Sequence, residues 1–119
     1  MTIKVKRVYD PVERNDGLRI LVDRLWPRGI SRETARIDRW IRDIAPSDQL
    51  RKWFAHKDAL WEEFRSRYWA ELETKPEIWN PLLSLAQKST ITLLYSAKNQ
   101  IHNNAVALKE FLLARMVQK

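Results

Sequence analysis

Asp23-Arg24 and Arg28-Gly29 flank Leu25-Trp26-Pro27, which places one carboxylate and two guanidinium groups within six residues. The arginines lie four positions apart in a loop stiffened by proline. Two parallel N–H donors on each guanidinium match the two oxygens of a carboxylate or phosphate, so this spacing suits an oxyanion. A second group, Ser96-Ala97-Lys98-Asn99, is followed closely by His102 and a segment with helical patterning. A helix N-terminus carries unpaired N–H groups and partial positive charge, and Lys98 would add a full charge there. The residues expected to bind a ligand are Arg24, Trp26, Arg28, Tyr95, Ser96, Lys98 and Asn99. In that reading Arg24 and Arg28 grip the anion, Lys98 neutralises it, and Trp26 and Tyr95 form an apolar wall. Asp23 and His102 are the candidate catalytic residues; Asp23 would orient an arginine or act as a base, and His102 would serve as a general acid or base.

Each of these residues also has a plainer reading. Asp23 can pair with an arginine and simply stitch strand ends together. Asn99 or Asn103 can cap the last helix while Lys98 stays solvated, and His102 can be a polar surface residue. Ser96, Asp23 and His102 invite comparison with a triad, but no nucleophile elbow is present. Neither GxGxxG nor GxxxxGK occurs, so a glycine-rich phosphate cradle is not expected. The chain has no cysteine and only two histidines, neither at ligand spacing from a carboxylate, so neither a metal nor a cofactor is implied. His56 reads as part of a turn between helices, and Glu62 and Glu63 as surface charge.

The elements that must position these groups follow from periodicity. Ile3 to Tyr9 starts with apolar and basic residues in alternation, as in a half-buried edge strand, and Asp10-Pro11 stops it. Leu18 to Val22 is a nearly continuous apolar run, the signature of a central strand covered on both faces. The short link between the two leaves a wide hairpin and a compact crossover both open. Ser31 is placed to cap a helix through Ile37, Trp40, Ile41 and Ile44, which Pro46 would end. Ser47-Asp48 begins a short helix with Leu50, Trp53 and Phe54. The clearest helix carries Leu60, Trp61, Phe64, Tyr68 and Leu72 on one stripe, with Glu63–Arg67 and Glu71–Lys75 as supporting pairs. Thr74 to Glu77 has capping-box spacing, and Pro81 predicts a short or broken helix between Glu77 and Lys88. Thr90 to Tyr95 is the second buried strand, and a final helix from about His102 to Met116 turns Val106, Leu108, Phe111 and Leu112 inward. The order strand, strand, helices, strand, helix makes this an α/β domain, one domain over residues 1–119, with a small mixed or partly parallel sheet covered by helices. Ligands of such sheets collect outside the carboxyl ends of parallel strands, which is where both polar loops fall.

The chain has 119 residues, is 45% hydrophobic and contains 2 Gly, a composition suited to a packed core and not to disorder. The net charge of +7 is scattered from Lys4 to Lys119 with no basic run, which favours a solvated basic surface over a nucleic-acid footprint. Of six tryptophans, Trp40, Trp53, Trp61, Trp69 and Trp79 fall in segments of helical patterning and are expected to fill the core. No stretch of membrane-spanning length and no leader follows Met1, so a cytoplasmic location without membrane partners is expected. A small anion is the expected ligand, with or without turnover. The alternative is a basic module that associates with nucleic acid or another protein.

Lys6-Arg7-Val8-Tyr9-Asp10-Pro11, Leu21-Val22-Asp23-Arg24-Leu25-Trp26-Pro27-Arg28-Gly29-Ile30, Ala45-Pro46-Ser47 with Leu50-Arg51-Lys52, and Thr92 to Asn99 resemble the YeaO-like family of small bacterial proteins, end to end. The resemblance implies an α/β fold and draws attention to both strand-end loops, but brings no activity, since the family is a domain of unknown function. Longer related domains carry a Cys-His-Arg string after the equivalent of Lys98. Here Asn103-Asn104-Ala105 stands in that place, so cysteine or arginine chemistry of that kind is not implied.

Overall fold

A computed structural model describes residues 2–117; Met1 and Lys119, used in the reading of leader and charge, lie outside the described residues. Four strands, β1 (Thr2–Arg7), β2 (Leu18–Leu21), β3 (Arg39–Trp40) and β4 (Thr90–Tyr95), form one sheet in the order β1-β4-β2-β3. All three pairings are parallel. β1 runs beside β4 from Thr2↔Thr90 to Arg7↔Tyr95, and β2 runs along its other side from Leu18↔Ile91 to Leu21↔Leu94. β1 is thus an edge strand and β2 an interior one. The link between them is a crossover and not a hairpin, because β4 lies between the two. Gly17 permits this closeness: its φ is +65°, and a Cβ there would overlap the Thr90 carbonyl oxygen.

Four helices, α1 (Asp48–Phe54), α2 (Trp61–Glu73), α3 (Pro76–Lys88) and α4 (Asn104–Val117), share one core with one face of the sheet. Ile3, Ile20, Ile91, Leu93 and Tyr95 supply the sheet side of that core; Tyr68, Leu72, Leu82, Leu108 and Phe111 face them. The opposite face holds a smaller cluster of Val8, Leu21 and Leu94 against Ala35 and Ile37, with Trp26, Ile30 and Trp40 packed on it. Loop covers that face.

The helix expected from Ser31 to Ile44 does not form. Ser31 Oγ accepts a bond from Thr34 N at 3.4 Å, but Arg36 turns to φ +50° and ends the winding. Asp38 N then donates to Arg19 O and Ile41 N to Leu21 O, so the sheet edge captures the segment as β3. Its apolar residues serve both faces: Ile37 and Trp40 join the small cluster, while Ile41 and Ile44 join the main core. A helix-like spacing came from a chain that crosses the sheet edge. Trp40 is therefore a strand residue, while Trp53, Trp61, Trp69 and Trp79 pack in or against the main core.

Ser47 caps α1 by accepting from Leu50 N at 3.1 Å. Glu63 pairs with Arg67, but Glu71 does not meet Lys75; it accepts from Ser47 N and Oγ at 2.9 and 2.6 Å, while Lys75 Nζ reaches Asp43 O. Thr74 makes no capping box, since its hydroxyl donates back to Glu71 O and α3 starts at Pro76 after Lys75. α3 also runs unbroken through Pro81. Pro81 and Glu77, whose carbonyl loses a partner to the proline, are both exposed, so the lost bond falls on the solvent side. Among the described residues no helix is long and apolar enough to cross a membrane.

Candidate functional site

The carboxyl ends of β1, β2 and β4 open into a cavity of about 760 Å³. Its floor comes from the ends of the two central strands and the start of α4. Asp23 Oδ2 accepts from Ser96 N at 2.9 Å and from Ser96 Oγ at 2.7 Å, and Asp23 Oδ1 accepts from Asn104 Nδ2 at 3.0 Å. Burial pushes the Asp23 carboxyl up, against the pull of these hydrogen bonds and of the Arg51 charge. Asn104 Nδ2 also reaches Val22 O, and Asn103 caps α4 by accepting from Val106 N at 2.9 Å. Asp23 thus ties β2, β4 and α4 together, and Ser96, Asn103 and Asn104 line the cavity beside it.

Cations form the walls. Arg7 closes β1, donates to Ala97 O and Ser96 O at 2.9 and 3.1 Å, and lies over the Tyr9 ring. Tyr9 Oη in turn donates to Arg28 O at 2.8 Å, which joins the loops after β1 and β2. Arg24 holds the approach to α1, donating to Pro46 O and Ala45 O at 3.1 and 3.2 Å. Arg51, paired with Asp48, stands on α1. Arg28 and Lys98 are exposed at the rim, and their side chains have no hydrogen-bond or ion-pair partner among the described residues. Five cations therefore surround one carboxylate, with Phe54, Phe64, Trp26 and Leu25 as the apolar part of the lining.

Residues 2–119 match the family described as the inactive DUF488-N3 subclade. The chain belongs to this family. It is 47% identical over 112 residues to the uncharacterized protein YeaO of Escherichia coli (strain K12), covering 94% of this chain and 97% of that protein. It is 35% identical over 113 residues to the uncharacterized protein Rv3073c of Mycobacterium tuberculosis (strain H37Rv), 95% of each chain, and equally to Mb3100c of Mycobacterium bovis. The resemblance to YeaO-like proteins is thereby shown. No solved structure matches the chain.

In this DUF488-N3 domain the two strand-end loops do meet, and Asp23, Arg24, Trp26, Arg28, Ser96 and Lys98 all line the cavity. Three expected site residues do not. Tyr95 is buried in the core, because as the last residue of β4 it points to the same face as Ile91 and Leu93; its exposed surface is 2%. Asn99 turns away, accepting from Ile101 N and His102 N and donating to Asp58 Oδ1. His102 lies before α4, not in its first turn; its Nδ1 meets Asp58 Oδ1 at 2.9 Å and its ring stacks on Trp61 at 4.7 Å. Of the three residues that invite comparison with a triad, only Ser96 and Asp23 are bonded to each other, as the missing nucleophile elbow leads one to expect. Asp23 binds neither arginine of its loop among the described residues; Ser96 and Asn104 hold it instead.

Arg7, Tyr9, Arg51, His56, Asn103 and Asn104 line the cavity without having been singled out as site residues. Arg7 and Tyr9 carry the same strand-to-polar-loop signature at the end of β1 that marked the other two loops. Arg51 and His56 have no local signal; α1 and the left-handed turn after it, with His56 at φ +59°, bring them there.

Proposed function

We propose that this domain binds a small oxyanion, a phosphate or carboxylate, in the cavity at the strand ends. The observation that carries the reading is the gathering of Arg7, Arg24, Arg28, Arg51 and Lys98 around one open cavity, two of them unengaged among the described residues. Backbone carbonyls fix Arg7 and Arg24, so they raise the local potential without moving. Arg28 and Lys98 are free to close on a ligand. Binding without turnover fits best: the family is described as inactive, and among the described residues neither Ser96 nor Asp23 is bonded to an imidazole.

A thermal-shift series against phosphate, sulfate, carboxylates and oligonucleotides tests this. A ligand that binds only the native state stabilises it by about 2.7 kcal/mol at a hundred times its Kd, which moves the melting temperature by several degrees. The reading expects such a rise with a small anion, lost in Arg28→Ala. Stabilisation by oligonucleotides alone, fading steeply with salt, would overturn it in favour of a nucleic-acid module.

A further inference from the structure

Resting on that anion reading, we propose that the ligand is a phosphorylated sugar, its phosphate held by Arg28 and Lys98 and its hydroxyls by Asp23, Ser96 and Asn104. The floor and the rim of the cavity ask for opposite chemistry. An ionised carboxylate has about four acceptor positions, and Asp23 fills three, two on Oδ2 and one on Oδ1. One acceptor position on Oδ1 remains. Ser96 Oγ gives its only proton to Asp23, so what it presents to the cavity is lone pairs. Asn104 commits its Nδ2 donor to Val22 O and Asp23, which leaves its Oδ1 as an acceptor. Asn103 is engaged at both ends, donating to Asn99 O and accepting from Val106 N.

The floor is thus a row of acceptors around a carboxylate. Phosphate oxygens set on it would meet oxygens, and the anion is turned away towards the rim cations. Hydroxyl groups fit the floor, because each brings a proton and no charge. A ligand that satisfies both regions carries a phosphate at one end and neighbouring hydroxyls at the other. Size agrees: at about 760 Å³ the cavity suits a ligand of metabolite size, and a bare oxyanion would leave most of it to water. A free sugar phosphate and a ribonucleotide share this chemistry, with half-buried Trp26 in the lining beside a base in the second case.

The test is calorimetric titration of the whole domain with inorganic phosphate, ribose phosphate, deoxyribose phosphate and a ribonucleoside monophosphate. The proposal expects ribose phosphate to bind at least about tenfold tighter than inorganic phosphate, with the deoxy sugar between them. Ser96→Ala and Asp23→Asn should each shrink that ratio. If either variant fails to fold, the comparison of the four ligands on the unaltered chain decides alone. A nucleotide that outbinds ribose phosphate supports the proposal and assigns the source to nucleotides; the reverse order supports it and assigns the source to free sugar phosphates. Equal affinity for phosphate and ribose phosphate, lost in Arg28→Ala, would overturn this inference and leave the anion reading standing. Binding of neither would overturn both.

Discussion

Asp16 is the side chain whose loss the fold should feel most. It is 1% exposed and is met by Lys6 Nζ at 3.1 Å, Arg19 Nη1 at 2.5 Å and Glu13 N at 3.0 Å. Burial alone would raise its carboxyl, but the Glu13 backbone N–H and the Lys6 and Arg19 charges outweigh it and hold the group below its ordinary value. The folded state therefore binds this proton less readily than the unfolded chain. The stability it lends is present above the unfolded carboxylate value of about 3.9 and is lost as pH falls through the lower folded value. Asp23 works in the opposite sense, because burial raises it, and protonation on acidification relieves the cost of its charge. Asp16→Asn leaves the Arg19 guanidinium, whose buried Nη2 already has no partner among the described residues, short of its counter-charge. It should cost about 3–5 kcal/mol by urea unfolding at neutral pH. The penalty should shrink as the pH is lowered; a penalty under about 1 kcal/mol at neutral pH would contradict this account.

The close approach of elements at Gly17 yields a prediction of its own. Gly17→Ala must adopt φ +65° and press Cβ into the Thr90 carbonyl between β2 and β4, whereas Gly29→Ala at φ +75° meets nothing within 4 Å. The second change should cost about 1–2 kcal/mol of backbone strain, and the first roughly 3 kcal/mol or more. Equal melting temperatures for the two variants would show that the strand register is not held there. The buried strands were legible because a strand covered on both faces shows as a nearly continuous apolar run, as in Leu18 to Val22, broken by Arg19, and Thr90 to Tyr95, broken by Thr92. Residues 31–44 were not, because spacing alone does not distinguish a helix stripe from a chain that passes Ile37 to one face and Ile44 to the other. Pro81 misled for a related reason: a proline breaks a helix less when the orphaned carbonyl lies on the exposed side.

Across the whole molecule the charge of +7 is less evenly spread than the linear sequence suggests. Arg7, Arg28, Arg51 and Lys98 lie far apart in the chain, yet the parallel order β1-β4-β2-β3 and the position of α1 bring them to one opening. That half of the site was legible where a strand ran into polar residues, and hidden where a helix supplied the cation. His102 shows the converse, since proximity in sequence to Lys98 did not carry it into the cavity. Binding of one small anion at a single site should weaken only gently with salt, with a log–log slope of order −1, whereas a backbone-binding surface loses about 0.9 per phosphate contact. The most direct measurement is a calorimetric titration of inorganic phosphate into the domain and into Arg28→Ala, each at two salt concentrations. The account predicts one saturable site per chain, weakened at least about tenfold in the variant and only mildly by salt. No saturable binding, or equal binding by both proteins, would contradict it.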